Sequence, residues 1–117
     1  MINTELRYIH CPDLEPPALP DDPTDCEVAF QVVVGLKDSH EEATFRFSVV
    51  TPSRLQRADG PTWGRGKLIV GRFEWSAVAQ AIAGLLARCT RPTWPEVVAA
   101  LARELPRESE VRRPTDA

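Results

Sequence analysis

Glu27-Val28-Ala29-Phe30-Gln31-Val32-Val33-Val34-Gly35 and, after a short polar interval, Thr44-Phe45-Arg46-Phe47-Ser48-Val49-Val50 are the stretches whose reading decides the fold. The first is a nearly continuous apolar run rich in β-branched residues, the pattern of a central strand covered on both faces. In the second, Phe45, Phe47 and Val49 alternate with Thr44, Arg46 and Ser48, as in a strand with one face in the core. Between them, Lys37-Asp38-Ser39-His40-Glu41 reads as a turn, so the two runs form an antiparallel hairpin.

Upstream, Thr4 to Ile9 begins with alternation and reads as a further strand, ended by Cys11-Pro12. From Pro12 to Pro23, five prolines stand among four acidic residues. Proline fixes φ and removes backbone donors, so this segment is an extended loop. Downstream, Thr51-Pro52 has the makings of a helix entrance for a short helix over Ser53 to Arg57, which Asp59-Gly60-Pro61 stops. Lys67 to Phe73 adds a fourth strand. After Glu74 the period changes: Val78, Ile82, Leu85 and Cys89 recur at helical spacing, so Trp75 to Arg88 is an amphipathic helix. Thr93-Trp94-Pro95-Glu96 matches a capping box, in which both side chains satisfy backbone donors, and opens a last helix ended by Pro106. The expected fold is α+β: a mainly antiparallel sheet of about four strands with two C-terminal helices packed on one face. Residues 1–106 form a single domain and 107–117 a flexible charged tail.

Composition agrees with one globular domain. The chain has 117 residues, 43% of them hydrophobic, a length at which roughly two-thirds of the unfolded chain's surface can be buried. No apolar stretch reaches the roughly 20 residues of a membrane span, and Met1 to His10 lacks the apolar core of a signal peptide, so a cytoplasmic location is expected. Three scattered cysteines, Cys11, Cys26 and Cys89, do not make a disulfide framework. The formal net charge of −3 is unevenly spread. Residues 1–44 carry ten acids and two bases, whereas the remainder carries seven acids and twelve bases. From charge alone, such asymmetry reads either as an ordinary solvated acidic surface loop or as a surface for a basic protein partner, and an acidic half would repel nucleic acid.

Residue patterns for catalysis or cofactor binding are weak. His10, His40 and the cysteines have neither Cys-x-x-Cys nor His-x-x-x-His spacing, so neither a metal nor another cofactor is expected. Gly64-Arg65-Gly66-Lys67 has Pro61 and Leu68 where a phosphate loop needs glycine and a hydroxyl, and it precedes a strand rather than opening a helix. Asp21, Asp22 and Asp25 lie in a loop with no apolar pocket to raise a carboxyl pKa. Cys89, on the apolar stripe, reads as core, as does Trp75 at the helix start. Trp63, in a Gly/Pro-rich loop, is a candidate contact residue, tryptophan being enriched in binding hot spots.

The order Tyr8-Ile9-His10-Cys11-Pro12-Asp13, an acidic proline-rich loop, Phe30-Gln31-Val32, Gly35, Phe45-Arg46-Phe47, and Val50-Thr51-Pro52 with Leu55 resembles the immunity protein 8 family. Gly66-Lys67-Leu68-Ile69-Val70, an Ala/Leu-rich helix and Thr93-Trp94-Pro95-Glu96-Val97 continue the resemblance, which covers about residues 3–104. It implies an α+β protein of bacterial polymorphic toxin systems that binds and neutralises the toxin encoded beside it, with no catalytic residues to carry over. The sequence departs from the family after Leu105, where an aromatic and acidic segment gives way to a basic, proline-containing one. The expected partner is a cognate toxin domain, a nuclease with a basic cleft being one form of it, and neither nucleic acid nor membrane. The expected contacts are Asp13, Glu15, Asp21, Asp22, Asp25 and Glu27 of the acidic loop, with Trp63 second. An adaptor or chaperone-like module, or a small enzyme using His10 or His40, remains the alternative; self-association is not legible.

Overall fold

A computed structural model describes residues 2–56 and 64–108. The elements are β1 (Thr4–His10), β2 (Glu27–Leu36), β3 (Glu42–Val50), α1 (Pro52–Gln56), β4 (Lys67–Ile69), α2 (Trp75–Arg88) and α3 (Trp94–Ala102). One sheet has the order β1-β2-β3-β4, with β1, β2 and β3 antiparallel in turn and β4 parallel to β3. A parallel neighbour needs a crossover rather than a hairpin, and the connection containing α1 provides it. The architecture is α+β.

The hairpin forms where the residue pattern places it. Asp38, at a φ of 62°, takes the left-handed turn position that aspartate tolerates, and the Ser39 N–H donates to the Leu36 carbonyl. Val28, Phe30, Val32 and Val34 of β2 are buried together with Ala43, Phe45, Phe47 and Val49 of β3. In the same core sit Val78, Ile82 and Leu85 from α2 and Val97, Ala100 and Leu101 from α3, so both helices pack on one side of the sheet.

The expectation that β2 is covered on both faces is therefore corrected. Glu27 and Ala29 are exposed and Gln31 and Val33 half-buried, because among the described residues no helix lies on that side. Valine at position 33 reflects β propensity, not core burial.

Three local expectations also change. The fourth strand ends at Ile69 rather than Phe73. The Val70 N–H still reaches the Val50 carbonyl, but the chain then bends so that Phe73 turns into the core and donates its N–H to Pro23. At α3, the Thr93 hydroxyl bonds the Glu96 carboxylate at 2.7 Å and neither side chain caps a backbone N–H. The two polar side chains satisfy each other instead. That helix also stops at Ala102, ahead of Pro106, where the Arg65 guanidinium bonds the Ala102 carbonyl.

Beyond α3, the Pro106 carbonyl accepts the Arg46 N–H at 2.9 Å, Arg107 bridges Phe45 and Glu108 lies 3.9 Å from Arg46. The first residues of the segment read as a tail thus lie along β3. The remainder of that segment is outside the described residues.

Candidate functional site

The acidic loop joins the end of β1 to the start of β2 and is held at several points. Glu15 and Ala18 close a backbone turn at 2.8 Å. The Asp22 carboxylate accepts both the N–H and the hydroxyl of Thr24, at 3.0 and 2.7 Å, an arrangement by which a short acidic side chain takes over backbone hydrogen bonding. Trp75, packed edge-on against Phe30 and Phe73, donates its indole N–H to the Ala18 carbonyl at 2.7 Å. An apolar body in the core and a polar tip on the loop are what tryptophan combines. Trp75 is thus the packing residue expected, and it also anchors the loop.

The loop's return to the sheet is fastened by Thr51, which is fully buried. Its hydroxyl accepts the Cys26 N–H at 3.0 Å, while its own N–H donates to the Cys26 carbonyl at 3.1 Å. The Ser53 hydroxyl shares its one proton between the Thr24 carbonyl at 2.9 Å and the Asp25 carboxylate at 3.1 Å, and Arg54 lies 3.7 Å from Asp25. Thr51-Pro52-Ser53-Arg54, read from sequence only as a helix entrance, is equally the clamp on the loop.

These contacts divide the acidic candidates. Asp22 and Asp25 are engaged within the fold, and the Lys67 ammonium holds Glu27 at 3.1 Å on the open sheet face. Asp25 is half-buried rather than solvated. Asp13, Glu15 and Asp21 are exposed and make no side-chain hydrogen bond or ion pair among the described residues. Trp63 lies outside the described residues.

The histidines stand apart. His10 pairs with Gln31 near one end of β2, and His40 lies in the turn beyond the other end. The His10 ring stacks on Tyr8 with centroids 5.9 Å apart. A cavity of about 480 Å³ lined by residues 9–16 includes His10, Asp13 and Glu15. No described hydrogen bond joins the imidazole to either carboxylate.

All three cysteines are free. Burial pushes the thiols of Cys26 and Cys89 above the ordinary range, so both are packing residues with little thiolate character. Among the described residues no three His, Cys, Asp or Glu side chains converge as metal ligands, and no helix is long and apolar enough to cross a membrane. Gly66, at a φ of 79°, forms the turn before β4 rather than a phosphate cradle.

A cluster not anticipated from sequence lies on the open face around Arg7. Its guanidinium bonds Glu5 and Glu42, both at 3.1 Å, and the carbonyls of Leu36 and Ser39. It lies across Gly35, where a Cβ would come within 2.0 Å of Nε. The signal available in sequence was a glycine ending an otherwise β-branched run, a mark of close approach.

A family model described as Immunity protein 8 matches residues 4–110. Comparisons with curated proteins and with solved structures return no match.

Proposed function

Because the chain belongs to the immunity protein 8 family, we propose that it binds and neutralises a cognate bacterial toxin domain in the cytoplasm, by occupying the toxin's surface rather than by catalysis. The family match across residues 4–110 carries this reading. The acidic loop supplies the contact. Asp13, Glu15 and Asp21 project from a backbone held by Trp75, Thr51 and Ser53, so little conformational freedom is lost when they meet a basic surface. Asp22, Asp25 and Glu27 contribute to the same negative field while bracing the loop, and Trp63 is the secondary contact. A nuclease suits this chemistry, since carboxylates compete where phosphate binds and steer association.

The test uses the domain encoded by the neighbouring toxin gene. Purified toxin domain should bind the chain and lose its activity. Replacing Asp13, Glu15 and Asp21 together by Ala should slow association by roughly tenfold at low salt, with the gap closing at high salt. No binding sinks the immunity reading. Binding with unchanged association rate removes only the acidic loop.

The cavity beside His10 favours a second, enzymatic reading, in which the imidazole acts as a general base. His10→Ala decides it. Full toxin neutralisation by that variant eliminates the enzymatic reading, and loss of neutralisation with binding retained supports it.

A further inference from the structure

We propose that this chain pairs with a second copy of itself along the outer edge of β1, forming a two-fold dimer whose sheet runs through eight strands. This stands independently of the toxin reading.

The edge is open. β1 ends the sheet, and among the described residues no strand pairs with its outer side. Leu6, Tyr8 and Ile9, three of the five exposed large apolar side chains among the described residues, sit on this one strand. An unpaired edge carrying apolar side chains is a template for strand addition.

The irregularity within β1 favours a second copy as the occupant. Its register against β2 passes from Leu6–Val34 to Tyr8–Val33 and skips Arg7. Leu6 and Ile9 therefore share the helix-covered face with Val34 and Val32, whereas Glu5, Tyr8 and His10 share the open face. Arg7 also lies on the open face, over Gly35. Two identical regular strands related by a two-fold match faces only when the residue numbers of each pair sum to an even number, because side chains alternate with period two. One extra residue inverts that parity. If Arg7 pairs with Tyr8 of the second copy, Leu6 meets its Ile9 and Glu5 meets its His10. Each of these pairs then shares a face. A regular strand from another protein must leave one residue of β1 unpaired, as β2 does at Arg7, whereas a second copy carries the same extra residue at the matching place and pairs residue for residue.

Charge and shape agree. β1 starts beside Arg91, whose carbonyl accepts the Ile2 N–H at 3.1 Å, and runs on into the exposed Asp13 and Glu15. Antiparallel pairing brings Arg91, whose guanidinium bonds the Arg88 and Thr90 carbonyls, towards Asp13 and Glu15 of the other copy, twice over in an isologous contact. Leu6 also borders a groove of about 440 Å³ against Ala83, Leu86 and Ala87 of α2, and the opposing Ile9 comes to its mouth. A contact of one strand pair is small, so the dimer is concentration-dependent.

Sedimentation of the full chain from about 10 µM to about 1 mM tests this, because mass action shifts such an equilibrium within that range. The expected result is a monomer–dimer equilibrium, with amide protection across residues 4–10 increasing with concentration. Leu6→Lys should raise the dimer dissociation constant at least about tenfold, since a charged side chain blocks edge pairing. Ile9→Lys should do the same and carries the test if the first variant fails to fold. Asp13→Arg should weaken the dimer and adding Arg91→Asp should restore it. A chain that stays monomeric at the highest concentration, or a dimer that both lysine variants leave intact, overturns the proposal.

Discussion

Replacing Thr51 by Val isolates the bond that fastens the acidic loop to the sheet. Thr51 is fully buried, and valine keeps its branched shape and nearly its volume, so no cavity opens. What disappears is the hydroxyl, which accepts the Cys26 N–H at 3.0 Å and contacts Ser53 at 3.3 Å. The Cys26 carbonyl keeps the Thr51 N–H, but the Cys26 N–H loses its acceptor at a residue only 5% exposed. An unsatisfied buried donor costs about 1–3 kcal/mol, so a loss of about 2 kcal/mol is expected. For a domain of this size that lowers Tm by about 8 °C. Urea titration with an unchanged slope measures it, and Thr51→Ser is the control, because it keeps the hydroxyl and loses only a methyl group. Hydrogen exchange at Cys26 should accelerate in the valine variant alone. If Thr51→Val costs less than about 0.5 kcal/mol, or less than Thr51→Ser, the hydroxyl does not hold the loop and the reasoning fails.

Other substitutions probe the remaining contacts. Gly35→Ala places a Cβ against the Arg7 guanidinium and should cost about 1–2 kcal/mol in denaturant titration, while in an Arg7→Ala background the same change should cost markedly less. Gly66→Ala combines a positive φ with a Cβ 2.7 Å from Pro106, so a loss of about 2 kcal/mol is expected, with faster exchange of the Arg46 N–H that Pro106 accepts. Burial raises the Cys26 and Cys89 thiol pKa values in the folded chain, so on raising the pH the unfolded chain loses these protons first. Their contribution to stability is then intact below about pH 8.5 and lost as pH rises through the folded values. The alkaline loss measured by denaturation should be smaller in Cys89→Ala than in the unsubstituted chain.

Much of this protein was legible from neighbouring residues alone. The alternation of Phe45, Phe47 and Val49, the helical recurrence of Val78, Ile82 and Leu85, and the prolines between Pro12 and Pro23 specify strand, helix and loop, because sterics and burial period act over a few residues. The family pattern was likewise legible, since it is a matter of order and spacing along the chain. The tertiary structure decided which face of β2 is covered, that β4 runs parallel to β3, and that Asp22, Asp25 and Glu27 are engaged while Asp13, Glu15 and Asp21 face solvent. It also decided that Arg7 is skipped in the register of β1, which changes what that edge can pair with. Each of these depends on partners remote in sequence: Ser53 for Asp25, Lys67 for Glu27, β2 for the register of β1. A side chain's local propensity carries no information about which distant group arrives beside it, and hydrogen bonding and coverage are settled only when the layers close together.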